Sequence, residues 1–403
     1  MDAELRATIL KLLAFCQAND WAGYDPYDAL NSKAFKASPF LKSRISRLIL
    51  TQMLKRSPFN LRRLLLIPKL QNPKAIALFL SAFVRLSGHG EVEVGRFISE
   101  MIERLVALRS PDTRYWCWGY SFPWQTRTLI VPADAPNLVC TTFVASALLD
   151  AYEQGHDPAC LDMALSAADY ILTELYWSRD GAAGFSYPQP SVQLEVHNAN
   201  FLAAALLCRV HRHTGEEKFI GPALEVARHS AAKQHADGSW YYGEERSQRW
   251  IDNFHTGYNL CALRSISNNA RTAEFDECIG KGFHFYRAHF FRKDGAVRYF
   301  HNRTYPIDIH TVAQSIITLL ELQDLDEGNL PLARSVLRWA MGRMWDERGF
   351  FYYRVLRFCT IRTPYMRWSQ AWMFLALSAL FCESDEAIRD SRKESSPTFV
   401  AAC

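Results

Sequence analysis

One motif recurs along the chain at intervals of 54 to 67 residues, and this repeat constrains the fold more than any other feature. Its clearest copy runs from Gln234 to Leu263: the end of a polar-faced helix, the turn Asp237-Gly238, an aromatic hairpin and an apolar helix. Five copies align at Trp118, Phe185, Trp240, Val297 and Phe351. A period of this length is typical of solenoids and toroids.

A sixth, more divergent copy lies between residues 3 and 79, where an insertion at residues 33–70 interrupts it. Six helical pairs would close a ring, so the sequence predicts an all-α (α/α)6 toroid, with residues 1–383 as a single domain. Apolar inner helices are predicted near residues 73–86, 139–153, 199–211, 256–267, 311–323 and 369–382. Outer helices, which mix charge with an apolar stripe, are predicted near residues 3–18, 91–109, 157–176, 216–234, 271–290 and 330–346.

The insertion is strongly basic. Between Ala29 and Gly90 there are twelve Lys or Arg and no Asp or Glu, although the whole chain carries a net charge of only +4. One or two basic amphipathic helices, at 42–54 and 61–66, are predicted within it and could cover one mouth of the ring. From Glu383 onwards the composition turns to charge, Ser and Pro, which predicts a disordered tail at 384–403.

This asymmetry of charge suits an acidic polysaccharide, an anionic lipid surface or a nucleic acid, or else only a solvated basic face. We expect a glycan or glycoconjugate as partner, with a peripheral contact to membrane or biosynthetic machinery through residues 33–70, and no nucleic acid. The start of the chain lacks the pattern of a secretory signal, and the ten cysteines are scattered without CxxC. The expected location is therefore the cytoplasm.

In a closed ring, the hairpins that precede the inner helices all emerge at one pole and surround a central funnel. Asp252 and His255 lie three residues apart at the start of one inner helix, where they share a face and the helix terminus favours an ionised carboxylate. We predict them as the centre of a catalytic site, in which carboxylates and histidines do general acid and base work. Equivalent positions of neighbouring repeats add Glu195, Asp308 and His310.

Aromatic rings stack on the C–H faces of sugars, and arginines form paired hydrogen bonds to a carboxylate such as that of a uronate. The residues predicted to bind substrate on these grounds are Arg127, Trp118, Trp124, Trp240, Tyr241, Asp25, Asp28, His197, Arg298 and Arg367. For single residues the competing interpretation is structural, because Asp252 would also cap its helix and a histidine would also bond a neighbouring hairpin.

Other chemistries lack their motifs. Residues 234–240 are similar to a string shared by terpene cyclases and protein prenyltransferases, but no DxDD or DDxxD cluster is present to ionise a diphosphate. Asp276 and Cys278 resemble half of a zinc site without a third ligand at the expected spacing. There is no Gly-rich phosphate loop. We therefore predict no metal and no cofactor.

Three segments carry a resemblance to a known family: Gly23 to Ser32, Trp118 to Arg127 and Trp250 to Asn259. They resemble a bacterial family found with exopolysaccharide and surface-glycan biosynthesis genes and often labelled delta-aminolevulinic acid dehydratase. The resemblance covers most of residues 19–382 and implies an α/α toroid in a glycan pathway. It does not imply dehydratase chemistry, since the sequence shows neither a βα repeat nor an identifiable Schiff-base lysine. The architecture resembles more distantly (α/α)6 glycoside hydrolases, polysaccharide lyases and sugar epimerases.

The leading functional hypothesis is a carbohydrate-active enzyme that cleaves, trims or epimerises a glycan during polysaccharide assembly. Hydrolase, lyase and uronate epimerase chemistry all remain open at this point. The rival hypothesis is a non-catalytic toroid that binds a glycan or a biosynthetic partner.

Overall fold

Fourteen α-helices dominate the computed structural model, which describes residues 2–88, 94–126, 129–155 and 157–394. In chain order they are α1 (Asp2–Ala18), α2 (Lys33–Lys36), α3 (Arg44–Arg56), α4 (Pro73–Ser87), α5 (Val94–Ala107), α6 (Leu138–Glu153), α7 (Ala159–Tyr170), α8 (His197–Thr214), α9 (Glu217–Ala231), α10 (Asn253–Ala270), α11 (Asp276–Phe290), α12 (Ile309–Glu321), α13 (Asn329–Met344) and α14 (Trp372–Glu394).

The inner helices are α4, α6, α8, α10, α12 and α14, each of which packs against the next, and α14 packs back against α4. The outer helices α5, α7, α9, α11 and α13 each pack against the inner helix that precedes them, and α1 packs against α14. The ring is thus closed by the two ends of the chain, and the predicted (α/α)6 toroid is confirmed. One continuous core of buried apolar residues extends from Leu5 to Leu380.

The strands are short and lie in the connections. They are β1 (Trp124–Gln125), β2 (Ile130–Val131), β3 (Tyr176–Arg179), β4 (Ala182–Phe185), β5 (Ile307–Asp308), β6 (Trp345–Asp346), β7 (Phe350–Phe351), β8 (Arg354–Val355) and β9 (Thr360–Ile361). Antiparallel pairs form between β1 and β2, β3 and β4, and β6 and β7, while β8 lies between β5 and β9. In register, Asp308 of β5 lies opposite Arg354 of β8.

Local sequence explains the tight turns and the helix starts of the repeat. Gly238 has φ +89°, and a Cβ at this position would lie 2.3 Å from the carbonyl oxygen of Lys281, so the Asp-Gly turn requires glycine. Four inner helices then begin with a capping Asn or Asp whose side chain accepts a backbone N–H of the first turn. The capping residues are Asn72, Asn137, Asp252 and Asp308. The cap fixes where each of these four inner helices begins.

The insertion differs in part from the prediction. Helix α3 matches the predicted helix at 42–54, but residues 61–66 form turns, with Leu66 in the left-handed region at φ 53°. The reason is tertiary: Arg62 is buried and bonds Asp28, which a regular helix with an exposed basic face would not permit. A small separate core of Ala29, Leu50, Leu54 and Ile67 holds the insertion together.

The C-terminal segment also differs from the prediction. Helix α14 continues to Glu394, so residues 384–394 are helical rather than disordered, and residues 395–403 lie outside the described part of the chain. Glu, Lys and Arg favour helix intrinsically, so a charged segment can continue a helix that starts in the core. Within the described ranges, no helix has both the length and the apolar character needed to cross a membrane.

Candidate active site

A cluster of aromatic rings occupies the centre of the pole at which the inner helices begin. It consists of Phe143 from α6, Phe254 and Tyr258 from α10, Trp368 from the π-helical turn 366–371, and Trp372 from α14. Neighbouring rings lie 5.5 to 5.8 Å apart between centroids. Rings from inner helices on different sides of the toroid therefore meet in one place, as the closed ring requires. We call this set the aromatic cluster.

Asp252 and His255 form a pair beside the cluster. Oδ2 of Asp252 lies 2.8 Å from Nδ1 of His255 and accepts a 2.8 Å hydrogen bond from Nε1 of Trp250. Oδ1 accepts the backbone N–H of His255, so the same side chain caps α10. Because the carboxylate holds Nδ1, the other ring nitrogen of His255 is left as the proton acceptor. Asp252 is buried, whereas the His255 side chain is 20% exposed.

His310 forms a second pair, with Tyr258. Nε2 of His310 lies 2.6 Å from the Tyr258 hydroxyl, and the imidazole stacks against Phe254 and Trp372 at 4.6 and 4.5 Å. Burial lowers the pKa of His310 well below its usual value, and the nearby Lys74 cation adds to this effect. Burial likewise raises the pKa of Tyr258 well above its usual value. The pair is therefore neutral and shares one proton across a short hydrogen bond.

The two histidines share the same aromatic neighbours. The Phe254 ring lies 4.1 Å from the His255 ring and 4.6 Å from the His310 ring, and the Tyr258 ring lies 6.1 and 5.8 Å from them. Two histidines in different environments thus lie against the same rings. His255 is bonded to a carboxylate and partly exposed, and His310 is bonded to a tyrosine and buried. Such a difference in environment is how active sites separate a base from an acid.

Lys74 lies at the start of α4, buried in the same region. Its Nζ lies 3.8 Å from the centroid of the Phe143 ring, and 5.4 and 5.3 Å from those of Tyr258 and Trp372. Burial lowers the pKa of Lys74 well below its usual value, and the cation of Arg367 lowers it further. The nitrogen thus faces three aromatic rings, and none of the described residues forms an ion pair or a hydrogen bond with it.

Three predicted carboxylates at the pole are held by arginines. Both oxygens of Asp25 accept hydrogen bonds from Arg367, at 2.7 and 2.9 Å. Asp308 accepts two bonds from Arg354 and one from Trp368. All these side chains are buried or nearly so.

Asp28 is held in the same way by Arg62, at 2.8 and 3.0 Å. Burial raises the pKa of Asp28 to about 6, against the lowering effect of Arg62. These carboxylates and arginines therefore hold the segments at this pole together rather than stand free for substrate.

Glu195 and His197 lie apart from the Asp252 pair. Glu195 bonds His229, which lies on outer helix α9. It also approaches Lys233, which lies in the turn after α9. His197 is buried and its Nε2 lies 2.9 Å from Glu244. The predicted convergence of Glu195 with Asp252 is therefore not seen in their contacts.

Trp118 and Trp240 are buried, and their indole N–H groups bond the carbonyl oxygens of Leu105 and Ser230. They fill the space between inner and outer helices, so they are not available to stack on a sugar. Trp124 is half-buried on β1 and lies 6.1 Å from Tyr120, whose ring is covered by the Arg367 guanidinium.

Two other residues predicted to bind substrate, Arg298 and Tyr241, contact neighbouring residues of the protein. Arg298 bonds the carbonyl oxygen of His289, and Tyr241 packs on His235. Arg127 lies outside the described residues. In the part of the chain that the structure describes, no group of three or more His, Cys, Asp or Glu is placed to hold a metal ion.

Three side chains of this region were not predicted from the sequence, namely Lys74, Tyr258 and Trp372. A signal existed for Lys74, since it is the one charged side chain in the first turns of an apolar inner helix. Tyr258 lies three residues after His255 on α10, so the two side chains share a face of the helix. The same spacing predicted that Asp252 and His255 share a face, and it could have predicted Tyr258 too. Trp372 carried no local signal, because only ring closure brings α14 to α4 and α12.

Comparison with solved structures identifies several similar folds. A cellobiose 2-epimerase from Bacillus thermoamylovorans matches with a TM-score of 0.61 and 14% identity, over 78% of this chain and 88% of that one. A GH76 α-mannanase from Bacteroides thetaiotaomicron has a TM-score of 0.60 and 11% identity, over 78% and 87%. A D-mannose isomerase has a TM-score of 0.59 and 13% identity, over 78% and 87%. At these identities the likeness shows the fold alone.

No family model matches the sequence, and no curated protein is similar to it in sequence.

Proposed function

We propose that the protein is a carbohydrate-active enzyme that removes and returns a proton at a sugar carbon, as an epimerase or isomerase does. The observation that carries the proposal is the placement of the Asp252–His255 pair and the Tyr258–His310 pair against one aromatic cluster. Two of the similar structures, a cellobiose 2-epimerase and a D-mannose isomerase, support the same class of reaction.

The residues support the following steps. The substrate is a reducing sugar in its open-chain form, whose C2 proton is acidified by the C1 carbonyl. The free nitrogen of His255, with Nδ1–H held by Asp252, takes the C2 proton, and the electron pair moves onto the carbonyl oxygen to give an enediolate. The Tyr258–His310 pair returns a proton. Return to the opposite face of C2 re-forms the C1 carbonyl and gives the epimer, and return to C1, with the O2 proton passing to O1, gives the ketose. His255 then releases its extra proton to solvent, and the Tyr258–His310 pair takes one up from solvent, which restores the starting state.

Lys74 is placed to stabilise the enediolate. An N–H of Lys74 donates a hydrogen bond to the developing oxyanion, and the negative charge that forms beside it raises the proton affinity of the Lys74 nitrogen. The aromatic rings around it exclude water, which strengthens this interaction. The proposed role of Lys74 therefore matches the charge that the reaction creates.

Hydrolysis is supported less well. Glycoside hydrolases use two carboxyl groups that flank the scissile bond. Asp25 and Asp308 are each engaged by an arginine, and Asp252 by a tryptophan and a histidine. Proton transfer by histidines requires no free carboxylate pair, so it fits the observed contacts better.

The biological setting that we propose is the assembly of a surface polysaccharide in the cytoplasm. This rests on the resemblance of residues 23–32, 118–127 and 250–259 to the exopolysaccharide-associated family. The alternative function is a toroid that only binds a glycan or a biosynthetic partner. The engagement of the carboxylates by arginines favours that alternative, because it leaves mainly aromatic walls, which bind sugars without reacting with them.

The test incubates the protein in D2O with reducing sugars and, separately, with surface polysaccharide from the source organism. Three readouts are followed: deuterium at C2 by NMR, new reducing ends, and absorbance of unsaturated uronates. We expect deuterium uptake alone, lost in His255→Ala and His310→Ala and kept in His284→Ala, which changes an exposed histidine on α11. Reducing ends or unsaturated products would replace this proposal with a hydrolase or a lyase. Glycan binding with none of the three signals would establish the binding toroid.

A further inference from the structure

The insertion exposes more apolar side chains than any other segment of the described chain. Of the twelve large hydrophobic side chains that are exposed in the described residues, six lie between residues 45 and 66. Their exposed fractions run from 49% for Met53 to 77% for Leu64. The six are Ile45, Ile49, Met53, Phe59, Leu64 and Leu66. Scattered exposed apolar residues are ordinary, but a group of this size on one short segment marks a contact surface.

Three of these side chains form a stripe along α3. Ile45, Ile49 and Met53 are spaced four residues apart and therefore lie on one face of the helix. A different face of α3 carries Leu50 and Leu54, which are buried in the small core of the insertion. The helix thus has two apolar faces, and the fold uses only one of them.

Basic side chains surround the exposed stripe. Lys42, Arg44, Arg56 and Arg63 are exposed, and no acidic residue occurs between residues 29 and 90 to neutralise them. None of these four forms a salt bridge with any residue that the structure describes. Apolar side chains interleaved with unpaired cations match the boundary between the headgroups and acyl chains of an anionic bilayer.

We propose that α3 and the loop up to Leu66 form a docking surface for an anionic lipid bilayer. Apolar side chains such as Ile45 and Phe59 would enter the headgroup region, and the cations would contact lipid phosphates. The cations around the apolar stripe have no acidic residue beside them in the insertion, so their charge is complementary to an anionic lipid surface, which we take as the occupant. The protein would lie on the membrane without spanning it.

The docking surface is continuous with the pole of the toroid. Lys55 of α3 bonds the hydroxyl of Tyr27 and lies 5.8 Å from the Trp368 ring, and Arg62 bonds Asp28. Membrane docking would therefore bring this pole of the toroid to the lipid surface. The proposal of docking itself does not rest on the proposed enzymatic function.

The experiment is co-sedimentation of the full-length protein with vesicles of phosphatidylcholine, with and without phosphatidylglycerol. We expect binding only when phosphatidylglycerol is present, weakened by added salt. The variant Arg44→Gln/Arg56→Gln should bind at least about tenfold more weakly, since each basic residue near an anionic surface contributes about fivefold. The variant Ile45→Gln/Ile49→Gln should also lose binding, with the charge unchanged.

Matched controls change the same residue types elsewhere on the surface. Leu10→Gln alters an exposed leucine on α1, and Lys293→Gln/Arg343→Gln removes two exposed cations outside the insertion. Both should bind vesicles as the wild type does. No binding to phosphatidylglycerol vesicles would overturn the proposal. So would equal losses in the insertion variants and the controls, or a protein partner captured through Ile45 and Ile49 in the absence of vesicle binding.

Discussion

Asp252 reaches His255 twice across the first turn of α10: one oxygen accepts the backbone N–H at 3.0 Å, and the other lies 2.8 Å from Nδ1 of the ring. The capping interpretation and the catalytic interpretation of Asp252 are therefore not exclusive. The cap positions the carboxylate, and the positioned carboxylate orients the imidazole. Separating the two roles requires a variant that affects them unequally.

Asp252→Asn is such a variant. Its amide cannot accept from Trp250, the His255 ring and the His255 backbone at once, so we expect a loss of about 1–2 kcal/mol in the free energy of unfolding. Turnover should fall by about 100-fold, because Nδ1–H of His255 is no longer held. Trp250→Phe is the control, since it removes one donor to Asp252 but leaves the pair intact. Equal losses of turnover in both variants would contradict the role of Asp252 in orienting His255.

The pH dependence of stability should report on His310. Its folded pKa is lowered, so as the pH falls below about 6.5 the unfolded chain takes up a proton that the folded chain does not. Stability is therefore lost towards acid, by up to about 1.4 kcal/mol per pH unit, until the lowered folded pKa is reached. Relative to the wild type, His310→Gln should be less sensitive over this window in urea unfolding. Parallel pH profiles of wild type and variant would show that His310 titrates normally.

Lys74→Met should separate stability from function. Between the lowered folded pKa of Lys74 and about pH 10.5, proton binding favours the unfolded wild type, so wild-type stability rises with pH relative to the variant. We expect Lys74→Met to be the more stable protein at pH 7, with a difference that narrows towards pH 10.5, and to have reduced turnover. Lys74→Arg, which retains a charge without a partner, should be strongly destabilised. A pH-independent difference between Lys74→Met and wild type would contradict the shifted pKa.

The Asp25–Arg367 pair should behave as a structural unit. Either Asp25→Asn or Arg367→Met leaves a buried charge without its partner and should cost about 3–5 kcal/mol of the free energy of unfolding. The double variant should cost less than the sum of the two. The exposed pair of Arg228 and Glu274 is the control, and Arg228→Met should cost less than about 1 kcal/mol. If Arg367→Met instead lost glycan binding at wild-type stability, the arginine would be a substrate ligand as the sequence suggested.

The candidate site was only partly predictable. His255 and Asp252 could be paired from the sequence because both roles depend on one helical turn. Lys74 and Trp372 are about 300 residues apart in the chain, and nothing in the local pattern of either helix says that an ammonium will lie 5.3 Å from an indole ring. For the same reason Trp240, whose position in the repeat suggested a role at the funnel, proved to be core: local patterns identify the hairpin but not which of its faces is buried.

The sequence by itself determined the architecture, because each copy of the repeat encodes the same turn, hairpin and apolar helix. Six such units bury every inner helix when they close into a ring. The tertiary structure alone decided which side chains became available at the pole. Whether an aspartate is free or engaged depends on an arginine supplied by a distant segment, such as Arg367 for Asp25, 342 positions away. Local periodicity carries no information about such pairs, since they form only when the ring closes.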